Sequence, residues 1–212
     1  MDSSEIYDQV REHYSSASRS TSVKYGEAVA KSFGYSADEL SNIPEDANLG
    51  LSCGNPLAIA SLKEASQPFF LHANITSVPL PAATADCIIS NCVINLVPPA
   101  DKPAVFREMH RLLKPGGRVA VSDILAKRPL PERLVKDVAM YVGCVAGASE
   151  VREYVVWLEG VGFGGTGTGC DSAGTVPAAT TGSGGAVPAG VVPEKTDLNE
   201  YVGSYKIFAV KN

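Results

Sequence analysis

Between residues 86 and 124 the chain reads strand, helix, strand, and that order leaves few folds open. Asp86-Cys87-Ile88-Ile89-Ser90 is a short apolar run of the kind buried on both faces of a parallel sheet. Asp101 to Leu113 reads as a helix carrying Val105, Met109 and Leu112 on one face, and Lys114-Pro115-Gly116-Gly117 ends it with glycines after the last periodic residue. Arg118 to Ile124 is a second strand. Strand, helix and strand in series predict an α/β sheet with parallel neighbours. Pro131 to Tyr141 and Ser149 to Val161 read as two further helices, and Ser204 to Val210 as a third strand.

The first sixty residues follow a helical period instead. Ile6, Val10 and Tyr14 repeat at i+4, as do Tyr25, Val29 and Phe33. Ser36-Ala37-Asp38-Glu39 is a capping box, with Glu39 placed to reach back to the Ser36 amide, and Pro44 stops the short helix it opens. Asn55-Pro56 reads as an N-cap followed by proline at N1, opening a helix through Leu62. Gly164 to Pro193 is rich in glycine and proline and carries Asp171 as its single charge, so it is expected to be an irregular, mobile loop. These shifts divide the chain into a helical segment 1–64, an α/β segment 65–125, a helical region 126–163, a flexible loop 164–197 and a terminal strand 198–212.

Composition narrows the function. Lys and Arg number 18 against 23 Asp and Glu, a net charge of -5, so no basic field exists to neutralise nucleic-acid phosphates. No apolar run reaches the ~18 residues of a membrane span. The opening Met-Asp-Ser-Ser-Glu is acidic where a signal peptide is basic and then apolar. A soluble, cytoplasmic monomer is expected. Asn74-Ile75-Thr76 is then a chance match to a glycosylation acceptor.

In that compartment Cys53, Cys87, Cys92, Cys144 and Cys170 read as thiols. None forms a CxxC pair, which excludes zinc ribbons and thioredoxin motifs and leaves buried structural thiols or a ligand set gathered from distant loops. Cys87 is expected inside its strand and Cys170 exposed on the loop. Gly165-Thr166-Gly167-Thr168-Gly169 looks like a nucleotide loop, but it follows a helix and runs into more glycine, threonine and alanine, so linker is the better reading. His13, His72 and His110 have no metal-like spacing, and His110 is expected on a solvated helix face. Asp123 follows a strand and reads as a cap or a ligand contact.

Three segments say more. Leu51-Ser52-Cys53-Gly54-Asn55-Pro56, Ser90-Asn91-Cys92-Val93-Ile94-Asn95-Leu96 and Tyr141-Val142-Gly143-Cys144-Val145-Ala146-Gly147-Ala148 each set a cysteine just beyond a regular element, where α/β proteins present ligand-binding groups. They resemble the cysteine motifs of the S-adenosylmethionine-dependent arsenite methyltransferases. The likeness extends over Tyr25 to Glu64 and Ile75 to Phe163, including Ile43-Pro44-Glu45-Asp46-Ala47-Asn48-Leu49-Gly50. The resemblance implies a Rossmann-like class I methyltransferase sheet, with Cys53, Cys92 and Cys144 as ligands of trivalent arsenic or antimony and region 126–163 as part of that site. It implies cofactor contacts from Asn91, Cys92 and Asp123. It further implies a thiol reductant such as glutathione or thioredoxin. The family reaction is attack by the arsenic lone pair on the sulfonium methyl; thiolates suit so soft a centre, and the cofactor carries the hard chemistry.

One departure is large. The family places a strand and an acidic, glycine-rich cofactor loop soon after the segment matching Leu62-Lys63-Glu64. Here the chain passes through Ala65-Ser66-Gln67-Pro68-Phe69-Phe70-Leu71-His72 straight to Ile75. Roughly two βαβ units of ~30 residues are missing, so the sheet is expected to be incomplete. The expectation is an arsenite methyltransferase with weak or absent turnover; the alternative is a non-catalytic arsenic- or antimony-binding thiol protein or a nonfunctional short form.

Overall fold

The computed structural model describes residues 2–20, 23–41, 48, 53–62, 70–170 and 197–212, without the side chains of 18, 20, 23–26, 138, 139 and 167–170. The stop at Pro44, the run 63–69, the loop beyond residue 170 and the exposure of Cys170 lie outside the described residues.

Helices α1 (Ser3–Ser20), α2 (Val23–Ser32), α3 (Ala37–Ser41) and α4 (Leu57–Ala60) form the N-terminal part. The capping box forms as read: Ser36 N donates to Glu39 Oε2 at 2.7 Å, and Glu39 N donates to Ser36 Oγ at 3.2 Å. Asn55 Oδ1 accepts from Ala58 N at 3.3 Å, but α4 stops at Ala60 because Ser61 turns left-handed at φ 48°.

The sheet contains β1 (Ala85–Asn91), β2 (Leu113–Ala126), β3 (Phe163–Cys170) and β4 (Val202–Lys211) in the order β1-β2-β4-β3. Helix α5 (Lys102–Leu112) provides the crossover that a parallel pair requires, and β1 and β2 are parallel, Cys87 facing Arg118 and Asn91 facing Ser122. The other two pairs, β2 with β4 and β4 with β3, are antiparallel, which corrects the expectation of parallel neighbours throughout.

Two further corrections concern glycine. Lys114 to Gly117 does not separate helix from strand. It lies inside β2, where Leu113 is already extended and a register shift opposite Ala85 and Cys87 takes up the extra residues. Residues 163–170 are a strand, not loop: glycine and threonine adopt extended backbone readily, and β4 offers an edge to pair with. The helix expected over 131–141 is also two, α6 (Glu132–Val135) and α7 (Val138–Val142), because Asp137 Oδ1 accepts from Met140 N at 3.0 Å and starts a new turn.

Apolar side chains sort into two clusters. Val105, Phe106 and Met109 of α5 meet Tyr154 and Leu158 of α8 (Val151–Gly160) over Val119, Val121 and Ile207 of the sheet. Phe106 and Tyr154 meet edge to face at 5.2 Å between ring centroids. Each such buried side chain contributes about 1.5–3 kcal/mol. His110 belongs to this side of the molecule; it is half-buried, its ring edge to face with Phe163 at 5.3 Å between centroids, since Phe163 is held beside α5 by β3. Cys87 is half-buried, not buried, because β1 is the edge of the sheet. The second cluster gathers Ile6 of α1, with Val10 and Tyr14 against it, Met140 and Tyr141 of α7, and three cysteines. No described helix is long and apolar enough to cross a membrane.

Candidate functional site

The second cluster is built on two strained residues. Cys92, just after β1, has φ 57°, and Cys144, just after α7, has φ 64°. Left-handed backbone at such residues costs about 1–3 kcal/mol and persists only where the surroundings hold it, which is characteristic of functional sites. Cys92 N donates to Ser122 O at 2.8 Å. Cys53 reaches the same place from the N-terminal part. Its amide donates to Asn91 Oδ1 at 3.1 Å, and its carbonyl accepts from Ser204 Oγ at 2.7 Å. Glycine is required next, since a Cβ on Gly54 would sit 2.7 Å from Ser122 Cβ.

The three sulfurs converge. Cys53, Cys92 and Cys144 are all buried, and their Sγ atoms lie within 4.8 Å of one another. Cys53 and Cys92 are joined as a disulfide with Cα atoms 5.5 Å apart, and Cys144 is a free thiol. The reading of all five cysteines as thiols is corrected for this pair: the fold sets two sulfurs at bonding distance, which a sequence separation of 39 does not reveal. Cys144 Sγ donates to Cys92 O at 3.3 Å. Burial pushes the Cys144 thiol well above its ordinary value, and the Asp123 carboxylate pushes the same way against Tyr14 and Lys102.

A polar layer braces the cluster from behind. Asn95, fully buried, donates from Nδ2 to the carbonyls of Ile124 and Cys144, the latter at 3.1 Å. Lys102 Nζ donates to Gly147 O and to Ser149 Oγ, the latter at 2.9 Å. Asp123 Oδ2 accepts from Tyr154 OH at 3.1 Å and Oδ1 from Ile124 N at 2.9 Å. Desolvation lowers Lys102 and raises Asp123, each moderated by the other's charge. The sequence reading missed Asn95 and Lys102. A signal existed for Asn95: it is the one amide inside the apolar run Val93-Ile94-Asn95-Leu96-Val97.

A cavity of about 620 Å³ lies beside β1, lined mainly by apolar groups, Leu57, Ile75, Val78, Ile88 and Met109 among them. S-adenosylmethionine carries a sulfonium, an ammonium, a carboxylate and a ribose diol, and binding it takes several convergent polar groups. The charged lining residue here is Glu108, already engaged by Arg111 at 2.7 Å and by Val78 N at 2.7 Å. Asn91 spends its amide on Cys53 N and on Gly54 O at 2.9 Å. Ser90 Oγ alone is buried there without a hydrogen-bond partner. Among the described residues no glycine turn joins a buried strand to a helix beside the cavity. These residues do not fit the cofactor. Asp123, expected to touch it, is fully buried between Tyr154 and Ile124 and does not line the cavity; Cys92 is turned into the sulfur cluster, and Asn91 borders both.

Residues 58–162 match the family described as Methyltransferase domain. The arsenite methyltransferase of Halobacterium salinarum is 30% identical over 179 residues, covering 61% of this chain and 45% of its own length. That of Aquipseudomonas alcaligenes is 47% identical over 75 residues, 35% of this chain and 21% of the relative. The human arsenite methyltransferase is 35% identical over 103 residues, 47% of this chain and 27% of the relative. Over the part they share, this chain is similar to arsenite methyltransferases. It spans less than half the length of these relatives. The Halobacterium alignment is longer than the share of this chain it takes in, so part of that relative has no counterpart here. An arsenic(III) S-adenosylmethionine methyltransferase from Chlamydomonas reinhardtii superposes with a TM-score of 0.49 at 24% identity, over 66% of this chain and 42% of that one. The mixed sheet with its parallel β1–β2 pair joined through α5 is of the Rossmann-like type.

Proposed function

We propose that this chain binds trivalent arsenic, or its congener antimony, through Cys53, Cys92 and Cys144, and that its methyl-transfer activity is weak or absent. The observation that carries the reading is the convergence of three buried sulfurs within 4.8 Å. Soft trivalent arsenic prefers thiolate to imidazole or carboxylate, and neither histidine nor carboxylate belongs to this set.

A thiol reductant such as glutathione or thioredoxin opens the site. Two reductant thiols give up two electrons and two protons, become a disulfide, and leave Cys53 and Cys92 as thiols. Arsenous acid then forms three As–S bonds while each cysteine proton leaves with an arsenic-bound hydroxide as water. That exchange takes up and releases no net proton while the thiols are protonated. The described residues supply the arsenic-holding part of the family's chemistry and no cofactor cradle. The protein acts as a cytoplasmic monomer on a small-molecule substrate, with no nucleic acid or membrane involved.

Reduced protein is titrated with arsenite and with phenylarsenic(III), alongside Cys92→Ser and Cys144→Ser. Each substitution should weaken binding at least tenfold. Equal affinity in all three proteins would remove the proposed ligand set.

A further inference from the structure

We infer that Asn95 is a positioning residue that holds Cys144 in the sulfur cluster; the inference deepens the arsenic-binding reading and rests on it. Asn95 lies in the 3-10 turn Ile94–Leu96, three residues beyond Cys92, so the segment that carries one thiol also carries the clamp on another. Its Nδ2 donates to Cys144 O and to Ile124 O, tying the backbone after α7 to β2. Cys144 sits there at φ 64°, a conformation it would leave if released.

Three further features point to the same clamp. Asn95 O approaches so closely that a Cβ on Gly147 would stand 2.0 Å away, and only glycine lets the two segments meet. Tyr141 OH donates to Val97 O at 3.0 Å, and Lys102 Nζ to Gly147 O, so the contacts bracket Cys144 from both sides. Asn95 Oδ1 is buried without a hydrogen-bond partner. An apolar side chain of the same shape would remove that orphan acceptor but take these donors away from the Cys144 and Ile124 carbonyls. The amide is there for its two donated bonds.

Asn95→Leu keeps the volume and deletes both donors and the orphan acceptor. In reduced, arsenic-free protein, alkylation of Cys144 read by mass spectrometry should run about tenfold faster than in the wild type, with Cys87 unchanged as internal reference. With arsenite bound, the wild type should protect Cys53, Cys92 and Cys144; the variant should protect Cys53 and Cys92 and leave Cys144 open. Uniform exposure of Cys53, Cys87, Cys92 and Cys144 in a variant with a lowered unfolding midpoint would make Asn95 merely structural and overturn the inference, as would profiles identical to wild type. Asn95→Asp, which turns a carboxylate toward the same two carbonyls, should release Cys144 equally and serves if the leucine variant does not fold. Failure of arsenite to protect the wild type would defeat the arsenic reading instead, and the arsenic-free arm would still decide the role of Asn95.

Discussion

The sulfur cluster and the cavity beside β1 share the Ser90–Val93 segment, yet one is built and the other is not. On the cluster side Cys92 is enclosed and strained, its amide donating to Ser122 O and its carbonyl accepting from Cys144 Sγ, while Asn95 and Lys102 brace the segment around Cys144. On the cavity side β1 is the sheet's edge; Ile89 is 44% exposed and Val93 41%, and the polar groups of Glu108 and Asn91 are already engaged. A parallel strand is normally covered on both faces. The contrast teaches that neighbouring sides of one strand end can differ sharply, one enclosing converged sulfurs and the other, among the described residues, left open and apolar.

The largest expected effect separates the two regions directly. Calorimetry should find no saturable S-adenosylmethionine binding at micromolar concentration. Binding draws on several convergent hydrogen bonds to charged groups, each worth about 1.5–3 kcal/mol, and the polar groups of Glu108 and Asn91 in the cavity beside β1 are already engaged. A micromolar dissociation constant would erase the contrast.

Gly147→Ala attacks the cluster alone. The new methyl meets Asn95 O, and the resulting overpacking should cost about 1–3 kcal/mol in urea unfolding and abolish arsenite binding. Retained affinity in that variant would show the cluster to be less tightly braced than its contacts indicate.

Glu108→Gln touches the cavity wall. Arg111 holds the Glu108 carboxyl below its ordinary value, so its contribution is present above the unfolded-state value and lost as pH falls through the folded one. The substitution should cost about 1 kcal/mol at neutral pH, flatten the acid limb of the stability curve and leave arsenite affinity unchanged. An unaltered acid limb would contradict the assigned pairing.

Much of this was legible in the sequence, for physical reasons that differ by element. Ile6-Val10-Tyr14 and Val105-Met109 could be placed because their spacing is itself the buried face of a helix. Ser36 and Glu39 could be paired because a capping box is local. The parallel β1–β2 unit followed from two apolar runs and the helix between them. Strand β3 did not, because its glycines and threonines resemble a linker until β4 pairs with them. The Cys53–Cys92 disulfide and the Asn95 clamp are long-range contacts that no spacing encodes, and the burial of Asp123 depends on Tyr154, 31 residues away.

The account turns on three sulfurs acting on one arsenic centre. X-ray absorption at the arsenic edge, on reduced protein loaded with one equivalent of arsenite, counts the bound sulfurs. The account predicts three As–S contacts in the wild type, falling to two in Cys144→Ser. Oxygen-only coordination, or three sulfurs retained in Cys144→Ser, would contradict it.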